Sequence, residues 1–472
     1  MFRPKQTAGT GTPDGGTADE CSSMRGWEGM ARRDRMRVAL VEIQSGRREC
    51  VNRDFMAGYG WAFNVGSSRR AKLIELVKKV GERIPLMSYG YLSAFFRCAG
   101  HDVVVGPDVP PDADLAIIQS SMVEHTAELR VAEAIRRTTR AKIGFIGPFA
   151  AARPELYQSS ADFIIQGEPE AWGPTLAGGE IPSGLVNRAE PLSTEALPFP
   201  DWSPFPVQSY SYLPALTQRP VLPILSSRGC VYSCSYCPYP AFYRWSTRSA
   251  ANVLAEITML VERFGVRGLV FRDPLFTAER KRVVQIAEGL LSANLGLRWA
   301  CETRLDLLDP SLLDLLYRAG LRVVNVAIES ADESVVAGVK RKNAGPSHEK
   351  AIARYCDRKG IRMTVFYILG LPNDTEATIH RTVAYAKRLN THVAQFFVCT
   401  PFPGTSLYES LKGRIFETTW EKFDGYTPTF RHDHLKVEQL LHLKEWAHCS
   451  YYYRPAWLAA FLRRGLRALV SG

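Results

Sequence analysis

Three cysteines stand close together in the segment SSRGCVYSCSYCPYP. Cys230, Cys234 and Cys237 form a CxxxCxxC pattern. Three thiolates on one short loop are typical of an iron–sulfur cluster, and three rather than four leave one iron open to another ligand. A structural zinc site would need a fourth Cys or His at matching spacing, and none stands nearby. The loop therefore predicts a cluster with one open iron.

The elements that position this loop are predicted from apolar runs that alternate with helical patterns. The runs at and after it are VLPIL (221–225), GLVF (268–271), LRWACE (297–302), RVVNVAIE (322–329), MTVFYILG (363–370) and VAQFFVC (393–399). One intervening helix is predicted over 309–320, with Asp309 as N-cap, Pro310 in the first turn and Gly320 as C-cap. Six strand–helix units predict a partial (β/α)6 barrel, whose active site should lie at the carboxyl ends of the strands.

A second alternating series precedes the cysteines. Predicted strands are 37–43, 101–106, 114–121, 142–148 and 161–170, with helices over 84–100 and 124–137. Short apolar strands that alternate with helices predict an α/β fold with a doubly wound, Rossmann-like parallel sheet, whose ligand would lie over the carboxyl ends of the strands. The segment 44–84 is too long for a simple connection, so we expect an insertion with a helix near AKLIELVKKV.

The domain organisation follows from these patterns and from the composition between them. We predict a disordered leader (1–35), a Rossmann-like domain (36–170), a Pro- and Gly-rich linker (171–219), a partial barrel (220–412) and a short helical C-terminal extension (413–472). The extension ends in a basic amphipathic helix over 454–472. Docking of its apolar face on the barrel is favoured over a membrane-surface role.

Composition narrows the classes of protein. Among 472 residues, 46% are hydrophobic and ten are cysteine, which is too few for a disulfide framework in a chain of this length. No apolar stretch is long enough for a membrane span and no signal peptide is evident, so we expect a reducing cytoplasm. The net charge of +11 comes largely from scattered Arg, which does not predict nucleic-acid binding.

The cysteine pattern at this position resembles that of the radical SAM superfamily. The resemblance implies a 4Fe-4S cluster whose fourth iron binds the amino and carboxylate groups of S-adenosylmethionine (SAM). One-electron reduction by an external carrier such as flavodoxin or ferredoxin would then cleave SAM and give a 5'-deoxyadenosyl radical. Tyr236 takes the family's position beside the adenine.

Polar or glycine-rich motifs end the later strands, where members of that family bind SAM. The resemblance assigns SAM contacts to Asp273 in FRDPLF, Arg304 in CETRLD, Glu329 and Ser330 in AIES, and Gly370 in FYILGLPNDT. Singly, each has a simpler explanation: Arg304 as a strand-end salt bridge, Glu329 as an anion at a helix N-terminus and Gly370 as a turn. Together, at successive strand ends, they favour a cofactor site.

The N-terminal sheet resembles the cobalamin-binding domain of B12-dependent radical SAM enzymes. It would present Ser120, Ser121, Gly147 and Gly167 at strand ends, where small residues let a flat corrin approach the backbone. The sequence has no Asp-x-His-x-x-Gly motif, so a bound cobalamin would lack the histidine ligand of the classical mutases and methionine synthase. A sheet kept for packing or substrate binding is the alternative.

The resemblance implies a cobalamin-dependent radical SAM enzyme, most often a C-methyltransferase, acting here on a small-molecule or lipid-like substrate. Oxidative cyclisation, ring contraction and rearrangement share this scaffold and stay open. An RNA-modifying methylthiotransferase is less favoured, because the N-terminal half has no second cysteine triad and 413–472 does not resemble a small β-barrel. A non-enzymatic carrier would leave the strand-end motifs without purpose. We assign no general acid or base.

Three further groups of residues are predicted to be structural. Cys301, Cys356 and Cys399 lie in or beside barrel elements and are expected to be buried as small hydrophobic residues. The RHDH cluster (431–434) is expected to form a polar surface turn, and the tyrosines at 451–453 to anchor the tail helix to the barrel.

Overall fold

The computed structural model describes residues 35–43, 64–78 and 82–470. The predicted leader and most of the predicted insertion therefore lie outside the described residues. Within the insertion, the expected helix is present as α1, Arg69–Lys78.

The first half of the chain forms short strands and five helices that the structure describes. Its strands are β1 Arg37–Val41, β2 Glu82–Arg83, β3 Asp102–Gly106, β4 Leu115–Gln119, β5 Lys142–Ile146, β6 Phe163–Ile165, β7 Gly184–Val186 and β8 Ser211–Tyr212. After α1, its helices are α2 Met87–Cys98, α3 His125–Thr138, α4 Pro148–Ala152 and α5 Gly173–Ala177.

Six of these strands form one parallel sheet in the order β3-β1-β4-β5-β6-β7. All five residues of β4 are buried, as expected for a parallel strand covered on both faces. The order reverses beside β1, and a ligand crevice opens outside the carboxyl ends of the strands at such a point. Gln119, the last residue of β4, lies at this edge.

The sixth strand corrects the linker prediction. β7 lies within 171–219, yet it pairs with β6 through Phe163 and Gly184, so this part of the predicted linker completes the N-terminal sheet. The prediction missed β7 because three residues, two of them exposed, carry no readable period.

The second half alternates strands with helices. Its strands are β9 Val221–Ile224, β10 Ser227–Arg228, β11 Ser246–Thr247, β12 Gly268–Phe271, β13 Arg298–Thr303, β14 Leu321–Glu329, β15 Arg362–Leu369 and β16 Val393–Val398. Its helices are α6 Tyr239–Phe242, α7 Ala250–Phe264, α8 Arg280–Ala293, α9 Pro310–Arg318, α10 Glu333–Gly338, α11 Pro346–Lys359, α12 Glu376–Leu389, α13 Ser406–Leu411, α14 Val437–Tyr452 and α15 Pro455–Val470.

The six longer strands of this half form a second parallel sheet in chain order, from β9 and β12 through β16. All six are the strands that the sequence predicted. Asp309 caps α9 by accepting a hydrogen bond from the Leu312 N–H at 2.9 Å. The helix ends at Arg318, and Gly320 supplies the positive φ of +107° that its exit requires.

One face of this second sheet is sealed near the amino ends of its strands. Val221, Val270, Ala300 and Val323 pack there against Tyr212 of β8 and against Leu216. Neighbouring residues on the other face, such as Leu269 and Trp299, belong to the core shared with the helices. The carboxyl ends of the strands, where the cysteine loop begins, lie outside this apolar cluster.

The C-terminal helices pack on the outer strands, as predicted, but Tyr453 donates to the Arg70 carbonyl of α1 at 3.1 Å and does not anchor on the barrel. The hydroxyls of Tyr451 and Tyr452 donate to the carbonyls of Thr391 and Ala394, each at 2.7 Å. Arg464 of α15 contacts Asp357 at 2.7 Å, so the last helix docks on the barrel. No helix in the described part of the chain has the length and apolar character needed to cross a bilayer.

The remaining structural predictions are confirmed. Cys301, Cys356 and Cys399 are each at most 2% exposed. In the 431–434 segment, the His432 ring bonds to the Leu371 carbonyl and Asp433 pairs with Arg414, so these side chains hold a turn.

Candidate active site

The cysteine loop leaves the sheet after β9 and is closed at its base by a small hairpin. β10 and β11 pair antiparallel, with Ser227 opposite Thr247 and Arg228 opposite Ser246. Gly229 has a φ of +75°, and a Cβ there would lie 2.7 Å from the Arg244 carbonyl oxygen. Only glycine fits between these two arms, which fixes the direction in which the loop enters the site.

The three loop thiols share one desolvated space. Burial raises the pKa of the Cys230 and Cys237 thiols, and the charge of Cys234 acts on both in the same direction. Ionised thiolates are therefore unfavourable here without a bound cation, and a coordinated metal deprotonates a thiol outright. No group of three or more His, Cys, Asp or Glu among the described residues is arranged for a single metal ion. The donor set is one that an iron–sulfur cluster uses.

A charged cluster lies beside the loop at the end of β14. The Tyr236 hydroxyl donates to Glu329 Oε1 at 2.7 Å, and Arg341 Nη1 lies 3.7 Å from the same oxygen. Arg341 also hydrogen-bonds Cys234. Burial raises the pKa of the Glu329 carboxyl, although Arg341 and the bond from Tyr236 oppose this shift. Glu329 adopts a φ of +63°, a left-handed conformation that is unusual outside glycine.

Arg304 is held at the end of β13 by contacts on three sides. It donates to Asp306 through Nε at 2.9 Å and Nη2 at 3.0 Å, and Nη2 also donates to the Lys342 carbonyl at 2.6 Å. Its guanidinium lies 4.2 Å from the centre of the Tyr232 ring. The strand-end salt bridge anticipated from the sequence is present, and it holds Arg304 against the cysteine loop. Its contact with SAM stays a prediction.

Asp273 stabilises the chain segment that leads into the cysteine loop. It is fully buried and accepts hydrogen bonds from the Ser226 N–H at 2.8 Å and from the Ser226 and Ser227 hydroxyls at 2.6 Å. Burial raises the pKa of its carboxyl, while Arg282 and the two serines act against this shift. Asp273 thus fixes the chain just before the cysteines, and a direct contact with SAM stays a prediction.

Ser330 and Gly370 shape the backbone around the barrel mouth. The Ser330 hydroxyl lies 3.0 Å from that of Thr382 and is buried. Gly370 has a φ of +77° and donates to Asp374 at 2.9 Å, and a Cβ there would lie 2.8 Å from Leu440 Cδ2. Their contacts in the structure are structural, and their assignment to SAM stays a prediction.

The small residues predicted in the N-terminal sheet also lie at its carboxyl edge. Ser120 Oγ accepts from the Ala150 N–H at 2.9 Å, and the Ser121 N–H donates to Glu128 at 2.7 Å. Both serines are fully buried. Their hydrogen bonds stabilise the loops that follow β4 and β5. Gly147 has a φ of +97°, and at Gly167 a Cβ would lie 2.8 Å from Arg188 Cγ.

One open cavity joins the carboxyl edges of the two sheets. It is open to solvent and is lined by polar and aromatic side chains as well as by backbone. The lining residues are Met87, Ser88, Gln119, Gly147, Pro169, Glu170, Leu225, Arg228, Gly229, Tyr239, Tyr243, Arg272 and Pro274. Gly147 is thus the one predicted cofactor residue that lines the cavity.

Arg228 links the two sheets across this cavity. Its guanidinium lies 2.7 Å from Glu168 and 3.2 Å from Glu170, two carboxylates that follow β6 of the N-terminal sheet. It also lies over the rings of Tyr91 and Tyr243. Burial raises the pKa of Glu170, although Arg228 opposes this shift. Because Arg228 is two residues before Cys230, this contact ties the cysteine loop to the N-terminal sheet.

Polar groups continue into the second sheet below the cavity. Arg272 lies 4.0 Å from Glu302, and the Asn325 side chain donates to the Tyr212 hydroxyl at 3.3 Å. Burial raises the pKa of Glu302 to about 7, Arg272 lowers it, and Glu82 adds to the increase. Near neutral pH, Glu302 can therefore accept a hydrogen bond as a carboxylate or donate one as an acid.

The comparisons with known proteins agree with this arrangement. Residues 224–386 match the family model of the radical SAM superfamily. This segment is a radical SAM domain. The matched segment runs from the end of β9 into α12, so it includes the cysteine loop and the strand ends that surround it.

Similarity to known proteins extends beyond the radical SAM domain. An uncharacterised methyltransferase of Pyrococcus horikoshii is 25% identical over 418 residues, which are 80% of this chain and 89% of that protein. The anaerobic magnesium-protoporphyrin IX monomethyl ester cyclase of Rubrivivax gelatinosus is 30% identical over 245 residues, which are 51% of this chain and 44% of that protein.

The fold is shared with a solved structure. The radical SAM methyltransferase TsrM from Kitasatospora setae, solved with cobalamin and a [4Fe-4S] cluster bound, superimposes with a TM-score of 0.58 at 16% identity. The match covers 80% of this chain and 78% of that one.

Sequence reasoning missed several residues of the site. Arg341 lies in a turn with no motif, and only its contacts with Glu329 and Cys234 reveal it. Arg228 stands next to the cysteine motif, and Glu168 and Glu170 stand in a segment quoted for its strand. Nothing in the sequence predicts that these three residues meet.

Proposed function

We propose that this radical SAM enzyme is a cobalamin-dependent C-methyltransferase acting on a small-molecule or lipid-like substrate. The observation that carries the proposal is the cavity that both parallel sheets line. Gln119, Gly147 and Glu170 line it from the N-terminal sheet, and Gly229 and Arg272 line it from the barrel. A corrin on one sheet and a radical source on the other would therefore face the same space. The names of the Pyrococcus relative and of TsrM support methyl transfer.

The chain's own residues hold and orient the groups that react. The three loop cysteines would hold a 4Fe-4S cluster, which when bound would supply the electron that cleaves SAM. Tyr236, Glu329 and Arg341 form a buried polar wall beside the loop that orients SAM, and Arg304 adds a positive charge for its carboxylate. Burial of this wall excludes water from the radical.

The histidines support cobalamin binding without a protein imidazole on the cobalt. All nine lie within described residues, and only His101 and His125 precede residue 348. Both ring nitrogens of His101 bond to backbone groups of Met36 and Ala177. His125 pairs with Glu421 at 3.2 Å. Neither lines the cavity, and residues 36–170 together with β7 form the proposed cobalamin-binding domain.

Anaerobic reconstitution with iron, sulfide and hydroxocobalamin tests the proposal. One cluster and one cobalamin per chain should survive gel filtration, and the EPR spectrum of the cob(II)alamin form should lack nitrogen superhyperfine splitting. Gly147→Val should abolish cobalamin retention without loss of iron. Gly184→Val is the matched control, because Gly184 also has a positive φ, of +69°, but has nothing near its Cβ position and does not line the cavity. Wild-type protein that retains no cobalamin would refute the proposal.

A radical SAM cyclase is the second candidate, favoured by the identity to the Rubrivivax enzyme. The two functions differ in how they consume SAM. A methyltransferase that uses one SAM as methyl donor and another as radical source forms S-adenosylhomocysteine and 5'-deoxyadenosine in equal amounts. A cyclase forms 5'-deoxyadenosine without S-adenosylhomocysteine, so the ratio of the two products in turnover with substrate decides between them.

A further inference from the structure

The cysteine loop reaches the surface between its first two cysteines. Val231 is 56% exposed although it is apolar, and Ser233 is exposed as well. Cys234, the next cysteine, is buried. The tip from Val231 to Ser233 therefore lies at the surface between two of the cysteines that would hold the cluster.

A basic turn is attached to this tip. It consists of residues 340–342, Lys-Arg-Lys, directly after α10. The Ser235 N–H donates to the Val339 carbonyl at 3.1 Å. On the other side, Arg304 donates to the Lys342 carbonyl while its guanidinium covers the Tyr232 ring. The backbone of the turn is thus held against the loop at two points.

The charges of this turn are available to a partner. Lys340 and Lys342 are exposed, and neither takes part in a salt bridge with any residue that the structure describes. Arg341 is used internally by Glu329, and Asp306 beside them is paired with Arg304. Two positive charges that form no described salt bridge thus lie on a turn beside an exposed apolar tip, which is the pattern of a surface that steers a negatively charged protein.

We propose that the tip at 231–233 and the basic turn at 340–342 are the docking surface for an acidic one-electron carrier protein. This inference rests on the proposed cluster. In the docked complex one electron passes from the reduced carrier to the oxidised cluster, so the carrier is oxidised by one electron and the cluster is reduced by one. No bond forms or breaks in this step. Charge complementarity sets the encounter, and Val231 supplies an apolar contact at its centre.

The test measures the rate of cluster reduction in reconstituted full-length protein by anaerobic stopped-flow absorbance. Reduced flavodoxin, an acidic carrier, is compared with reduced methyl viologen, a small cation that needs no docking surface. The variant is Lys340→Glu with Lys342→Glu. The matched control is Arg267→Glu with Arg318→Glu, the same charge change at two exposed arginines that form no described salt bridge and lie near the amino ends of β12 and β14, opposite the cavity edge.

The docking variant should react with flavodoxin at least about tenfold more slowly at low ionic strength, and the difference should shrink as salt is added. The control variant should stay near the wild type, and methyl viologen should not slow in either. Lys340→Gln with Lys342→Gln should fall between. Equal flavodoxin rates in the docking and control variants would overturn the docking proposal while leaving the cluster intact. Protein that binds no cluster would instead refute the proposed function.

Discussion

Removing Arg228 from its pair of carboxylates should destabilise the protein strongly. The side chains of Arg228, Glu168 and Glu170 are 7%, 4% and 4% exposed, so Arg228→Met leaves two buried negative charges without a partner. Breaking a buried ion pair from one side costs about 3–5 kcal/mol. For a domain of 150–250 residues, one kcal/mol corresponds to about 2–4 °C, so the melting temperature should fall by roughly 6–20 °C.

Removing all three charges separates the cost of unpaired buried charge from a simple loss of packing. The variant Arg228→Met, Glu168→Gln, Glu170→Gln has no uncompensated charge, and neutral replacement of a buried ion pair is often close to neutral in stability. We therefore expect the triple variant to recover at least half of the lost melting temperature. Arg381→Met is the control, since Arg381 pairs with Asp332 while 58% exposed and should cost less than about 1 kcal/mol.

Calorimetry of the cluster-free protein at low salt is the assay, because cluster loss during heating would otherwise mix two processes. A triple variant as unstable as Arg228→Met, or more so, would refute the electrostatic argument and show that Arg228 acts through its volume and ring contacts.

Three further outcomes are expected. Replacing all three loop cysteines with Ala should abolish iron and sulfide binding and every SAM cleavage product; 5'-deoxyadenosine from that variant would contradict the cluster assignment. Arg304→Ala and Glu329→Ala should each weaken SAM binding by about 1.5–3 kcal/mol in calorimetric titrations of reconstituted protein, with iron content unchanged. Because its folded pKa of about 7 lies above the unfolded value, Glu302 should make stability fall as pH rises from about 4.5 to 7, on the order of 3 kcal/mol, and Glu302→Gln should remove this slope in melting temperatures.

Most strands of both sheets could be predicted because buried strands require runs of apolar residues, which are visible in the sequence. Each strand of the second sheet is a continuous or alternating apolar run, such as GLVF in β12, and parallel strands covered on both faces require such runs. β7 was not predicted, because a strand of three residues at a sheet edge does not require such a run. Its membership is decided by pairing with β6, which the local sequence does not encode.

The partners of the charged residues could not be predicted for the same reason. For Asp273 the sequence did not suggest the three hydrogen bonds that it accepts from serines 46 and 47 residues earlier in the chain. Glu329 was correctly placed at a strand end, but its stabilisation by Tyr236 and Arg341 depends on how two loops fold over each other. Residue type and position predict where a charged side chain lies. Its hydrogen-bond and salt-bridge partners depend on the tertiary structure.

The Arg228 cluster shows what these contacts add to two sheets whose apolar side chains already share one core. Apolar surfaces tolerate a small slip between packed layers, whereas a slip here would separate Arg228 from carboxylates at 2.7 and 3.2 Å and leave buried charges unpaired. The cost of several kcal/mol fixes the cysteine loop at one position relative to the N-terminal sheet. Reaction between groups held on different sheets requires such a fixed separation, because a misplacement of about 1 Å can cost a hundredfold in rate. The buried charges therefore lie where the geometry of the proposed reaction is most sensitive.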